Sequence, residues 1–164
     1  MKAFKKFAPV IAALLGVVAI VMLFLPAVVL SEDVSYNGWQ VMFGYTETNK
    51  ILGSEIKTEV LAFSFMNLLS LILVAAGVVL SVLTFLGKGN KFFALIAAAC
   101  FIVAAVFFFL TLTFATAGKS LTLDGTLAQE KIKESWKLGA GPIIAAICSI
   151  LAAGTAVAPA LLKK

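Results

Sequence analysis

A chain of 164 residues in which 62% of side chains are hydrophobic and 13% charged, with a mean hydropathy of +1.11, lies outside the range of water-soluble domains. Histidine and arginine are absent, and the two cysteines, Cys100 and Cys148, sit inside apolar runs. Zinc sites, histidine acid–base chemistry and a disulfide framework are therefore not expected. The net charge of +5 is split among short segments with no aromatic-basic groove, which argues against a nucleic-acid partner.

Four runs free of charged residues are long enough to cross a bilayer, which takes about 20 apolar residues. They cover 7–30, 60–86, 92–117 and 138–162. In the first, Pro9 falls in the opening turn, and Pro26 lies about one turn from the far end, where it kinks or ends the helix. Lys2, Lys5 and Lys6 precede this run as in a signal peptide. The apolar stretch is too long for such a segment, however, and no small-x-small site precedes Ser31, so the run is read as a retained helix.

The loop 31–59 carries the strongest local pattern. Val34-Ser35-Tyr36 and Trp39–Tyr45 flank Asn37-Gly38, a dipeptide suited to the positive φ angles of a tight hairpin turn. On the second strand Trp39, Val41, Phe43 and Tyr45 alternate with Gln40, Met42 and Gly44, giving one aromatic face. Two readings are open for that face. It packs on the mouth of the helix bundle with Trp39 at headgroup depth, or it binds a partner or ligand.

In the second run Ser64, Asn67 and Ser70 recur every three residues, and Thr111, Thr113 and Thr116 cluster near the end of the third. These hydroxyl and amide groups either bond across the bundle or line a polar cavity. Ser64, Asn67, Ser70 and Thr111 are the candidate cavity residues, with Asn67 the foremost. Gly87-Lys88-Gly89-Asn90 makes a tight basic turn between the two runs. Phe107, Phe108 and Phe109 suggest an aromatic surface turned to lipid or to a partner.

The loop 118–137 repeats the hairpin signal at Leu121–Ala128 around Asp124-Gly125, and one of its strands is free to pair with the first loop. Gln129–Leu138 then reads as a short interfacial helix, with Trp136 at headgroup depth or against a partner. The fourth run holds two rows of small residues, Gly141/Ala145/Ser149/Ala153 and Cys148/Ala152/Ala156/Ala160. One is expected inside the bundle, and the other, if free, would form a lateral seam.

Seven lysines (Lys2, Lys5, Lys6, Lys88, Lys91, Lys163 and Lys164) flank the spans without any acid among them, whereas the other six share the two long loops with all eight acids. The positive-inside bias places both termini in the cytoplasm and both loops outside. The fold class expected is all-α: one integral membrane domain over 1–164, a four-helix bundle with a small extracellular antiparallel sheet built by the two outer loops.

The spans carry no charged group of the kind that ion-coupled carriers display, no phosphate-binding loop is present, and no nucleophile has a recognisable base. A non-enzymatic protein without cofactors or metal is expected. The layout of one long outer loop with strands and a tryptophan, a tight inner turn and a shorter second loop, together with Tyr36-Asn37-Gly38-Trp39-Gln40, resembles the claudin and peripheral-myelin-protein type of tetraspan. Tyr36–Tyr45 behind Leu25-Pro26-Ala27 is also similar to small four-span proteins of Gram-positive-type bacteria. The claudin loop's two cysteines have no counterpart here, so its disulfide and pore-lining roles do not carry over.

The resemblance implies association, laterally or outside the membrane, with itself or another membrane protein. Trp39, Val41, Phe43, Tyr45 and Trp136 are the candidate contact residues. A small-solute transporter or channel subunit with a pathway near Asn67 is the rival reading.

Overall fold

The computed structural model describes residues 2–31, 33–51, 54–88, 91–119 and 134–161. In chain order these form α1 (Lys2–Val21) with a 3-10 turn at Met22–Phe24, β1 (Pro26–Val29), β2 (Ser35–Asn37), α2 (Gly38–Phe43), β3 (Tyr45–Ile51) and β4 (Ser54–Ala62). Next come α3 (Phe65–Phe85), α4 (Lys91–Phe109), α5 (Thr111–Phe114), β5 (Thr116–Ala117), β6 (Lys137–Leu138) and α6 (Ala140–Leu161). Four segments, Lys6–Phe24, Phe65–Phe85, Lys91–Phe109 and Ala140–Leu161, are long and apolar enough to cross a membrane. The expected Leu121–Ala128 hairpin and the start of the expected 129–138 helix lie outside the described residues.

The long helices form a square. α1 packs on α3 and α6, and α4 packs on the same two. Alanines make these contacts close: Ala12 and Ala19 on α1, Ala97 and Ala104 on α4, and Ala145 and Ala152 on α6 are fully buried. Without a hydrophobic gain between helices in lipid, small side chains that let backbones approach are the main source of packing energy. Phe101 fills the centre, fully buried. A Cβ added to either Gly16 or Gly77 would lie 2.9 Å from its ring, so glycines on α1 and α3 make the room it occupies.

The spans are shorter than the apolar runs because the ends of those runs are strands. Leu25 precedes a proline, which disfavours helical backbone, and it is extended at φ −77°, ψ 160°. The helix therefore stops and Pro26–Val29 becomes β1, which pairs antiparallel with β2 on one side and β6 on the other. Likewise β3, β4 and β5 form a second three-stranded antiparallel sheet. Two small sheets thus replace the single one expected. They close the same end of the bundle, since β1–β6 joins the end of α1 to the start of α6 and β4–β5 joins the end of α4–α5 to the start of α3. Beneath them Val28, Val41, Leu61, Ala117 and Trp136 belong to a second core cluster.

Gly118 and Gly139 permit this closure. A Cβ on the first would collide with the Glu59 carbonyl and one on the second with that of Pro26. Instead Gly118 donates its N–H to Val60 O and Gly139 to Ala27 O, both at 2.9 Å.

The expected Asn37-Gly38 hairpin is corrected. Asn37 is the N-cap of α2: its side chain accepts from Gln40 N at 2.9 Å, and Gln40 Oε1 accepts from Asn37 N at 2.9 Å. This reciprocal pair is a capping box. The hairpin of the first loop is β3–β4, with Ile51 opposite Ser54. Gly38 lacks a positive φ, yet a Cβ there would meet Leu23 at 3.0 Å, so close approach and not turn geometry is what requires a glycine. Gly44, which ends α2, does have the glycine conformation, at φ 87°.

Three further expectations change. The 129–138 helix does not reach Leu138, because Lys137 and Leu138 are β6. Both small rows of α6 are engaged: Gly141, Ala145, Ser149 and Ala153 are buried, and so are Ala152 and Ala156. A helix flanked by both α1 and α4 needs two small faces, so neither row is left as a seam. Phe108 points inward at 1% exposure while Phe109 is 47% exposed, which divides the aromatic run between core and surface.

Candidate functional site

The polar residues of α3 do converge. Ser64, Asn67, Ser70 and Thr111 are all at most 5% exposed. α4 breaks at Leu110, and the single turn of α5 leaves backbone carbonyls facing α3. The Ser64 hydroxyl stands at the start of α3 but does not cap it; it donates to Phe114 O at 2.6 Å, satisfying an orphan carbonyl at a helix end. Asn67 Nδ2 donates to Ser64 Oγ at 3.1 Å and to Thr111 O at 3.3 Å. Ser70 and Thr111 instead donate back to the carbonyl three residues earlier, Asn67 O (2.6 Å) and Phe108 O (2.8 Å).

The cluster thus clamps α3 to the α4–α5 corner. One atom is left over: Asn67 Oδ1 is buried with no hydrogen-bond partner. The four side chains can donate and accept hydrogen bonds but cannot exchange protons near neutral pH or compensate a charge. Among the described residues no group of three or more His, Cys, Asp or Glu is placed to hold a metal. Cys100 and Cys148 are free thiols, each half-buried.

The five candidate contact residues separate. Val41 is 1% and Trp136 5% exposed, both inside the sheet-end core. Tyr45 packs partly buried against the same core, its ring 5.5 Å from that of Tyr36. Phe43 remains exposed, whereas Trp39, four residues before it on α2 and therefore on the same face, is half-buried against the helix-bundle core with its indole Nε1 buried and unpartnered. Their rings stack at 6.0 Å and 4°, and Phe24 lies 5.6 Å from Trp39.

Beside the inward face of Gly38, Val41 and Met42, the Trp39–Phe43 face of α2 forms an aromatic ledge. Phe24 is 66% and Phe43 55% exposed there. Phe63 and Phe65, also exposed, flank Ser64, whose N–H donates to Met42 O at 3.0 Å and so brings this segment against the end of α2. Reading residues 39–45 as a strand missed Phe24 and the helical spacing of Trp39 and Phe43. The pattern Asn37-x-x-Gln40 was the signal that could have found them.

Tyr36 faces Glu47, with Oη 3.5 Å from Oε1. Burial first, then the negative charge and hydrogen bonding of Glu47, raise its phenol above the ordinary 10.0. A raised value means the folded chain keeps this proton where the unfolded chain has lost it, so the contribution to stability is whole below pH 10 and declines as pH rises past it. Tyr36→Phe is expected to flatten the alkaline fall in melting temperature above that pH, followed by circular dichroism. An identical alkaline profile would show that Tyr36 does not carry it.

Comparison of this chain with protein-family models, with curated proteins and with solved structures finds no match.

Proposed function

We propose that this chain is a non-enzymatic tetraspan of the cell membrane that acts by association, laterally or outside the membrane, with a second copy or another membrane protein. The observation that carries the reading is the aromatic ledge in which exposed Phe24 and Phe43 flank a half-buried Trp39, the last two held in place by the capped helix α2. Rigid aromatic side chains supply large contact area at low entropic cost. The claudin-type layout remains a resemblance in its favour. The acid-free lysines that flank the spans in the sequence support a cytoplasmic orientation of both termini. The rival reading, a transporter or channel subunit, draws on the unpartnered Asn67 Oδ1.

One set of single cysteines, in a background with Cys100 and Cys148 replaced by alanine, tests this. An impermeant maleimide on intact cells is expected to label Thr46→Cys and not Lys88→Cys. Phe43→Cys is expected to form a disulfide-linked dimer or a cross-link to one partner, while Asn67→Leu leaves that adduct unchanged. If Phe43→Cys stays monomeric in cells and Asn67→Leu abolishes a solute flux in proteoliposomes, the transport reading replaces association.

A further inference from the structure

The other end of the α1–α3 seam carries a feature that association does not use. An apolar groove of about 310 Å³ opens on the outside of the bundle, lined by Val10, Ala13, Leu14 and Val17 of α1 and by Val82 and Phe85 of α3. Ala13 is 8% exposed, whereas Leu14, Val17, Val82 and Phe85 are 41–61% exposed, so taller side chains stand around a small one. At 1.5 Å per residue, Val10 to Val17 spans about 10 Å along the membrane-crossing direction. No polar side chain lines it.

The groove runs toward lysines. Lys6 lies one helical turn before Val10, in the same four-residue row as Val10 and Leu14, and is exposed. On α3 the chain turns directly after Phe85 through Gly87, at φ 72°, which brings exposed Lys88 to the same end. No acidic residue occurs in 1–31 or 60–123, so among the described residues α1, the turn after α3 and the start of α4 bring Lys6, Lys88 and Lys91 to this end and no aspartate or glutamate. An apolar slot within the hydrocarbon layer, capped by positive charge at headgroup level, is complementary to an amphiphile with an acyl chain and an anionic head.

We propose that the α1–α3 groove binds an anionic phospholipid, one acyl chain lying along Val10–Val17 and the headgroup held by Lys6 and Lys88. A zwitterionic lipid fills the groove equally well but gains little from the lysines. With two basic residues at the membrane surface the expected preference is about 30-fold.

The test is native mass spectrometry of the full-length protein with phosphatidylglycerol or phosphatidylcholine of identical acyl chains. The wild type is expected to retain phosphatidylglycerol about 30-fold more tightly. The double variant Lys6→Gln/Lys88→Gln, altered only at exposed positions, is expected to bind both lipids alike and at the wild-type level for phosphatidylcholine. Val17→Trp, which adds bulk to an exposed wall, is expected to weaken both. Equal retention of the two lipids by the wild type, or a preference that survives the double lysine variant, overturns the proposal. So does unchanged phosphatidylglycerol binding by Val17→Trp, or displacement of the lipid by millimolar glycerol phosphate, because either would place the site outside the groove.

Discussion

Phe101→Ala is expected to cost about 3–5 kcal/mol of stability, the range for truncating a fully buried aromatic. The size follows from position. The ring is 0% exposed and fits against Gly16 and Gly77, where an added Cβ would stand 2.9 Å away. Its loss leaves a hole bordered by glycines that have no side chain to collapse into it. Gly77→Ala is the reciprocal change, and it is expected to destabilise by overpacking. The pair Gly77→Ala/Phe101→Leu should recover part of both losses, because residues in contact couple. Thermal unfolding in one mild detergent measures all three. Strict additivity would mean that the ring does not sit between the two helices.

Gly139→Val is expected to be the most damaging single change at the sheet end, at or above the upper part of the roughly 1–3 kcal/mol range for overpacking. A Cβ at Gly139 runs into the Pro26 carbonyl, and backbone cannot step aside as a side-chain tip can. Moving apart breaks the Gly139 N–H to Ala27 O bond and the β1–β6 pairing, the link between the end of α1 and the start of α6. In the same clamp, Gly141 approaches the carbonyls of Met22 and Leu25. Proteolysis of the purified variant should cut first near residues 26–38, with the helices still protected. If Gly139→Val melts like the wild type, the two chains do not approach this closely.

The capped helix α2 shows how local signals compete. Asn37-Gly38 favours a hairpin and Asn37-x-x-Gln40 a helix start, and both are satisfied by the same four residues. What separates them lies elsewhere in the chain: as a helix, α2 buries Gly38, Val41 and Met42, with Gly38 set against Leu23. A strand would divide those residues between two faces. The aromatic ledge exists only because of that choice, since Trp39 and Phe43 share a face at a spacing of four.

The sequence by itself determined the membrane class, four helices long enough to span, a kink or end of the first near Pro26, and the polar row Ser64, Asn67 and Ser70. These depend on composition, on windows of about 20 residues and on local backbone rules, all of which survive without tertiary information. It also partitioned the lysines, because charge distribution is a property of the chain alone.

Only the tertiary structure decided where helix gives way to strand. Pro26–Val29, Val60–Ala62 and Thr116–Ala117 are apolar stretches continuous with helical runs, and periodicity does not distinguish a buried strand from a buried helix end. They became strands because each found an antiparallel partner from a distant segment. The same holds for Phe101, Gly16 and Gly77, which lie on three different helices, and for the α1–α3 groove with Lys6 and Lys88 at one end. Their chemistry was written in the chain, but their juxtaposition arose when the helices packed.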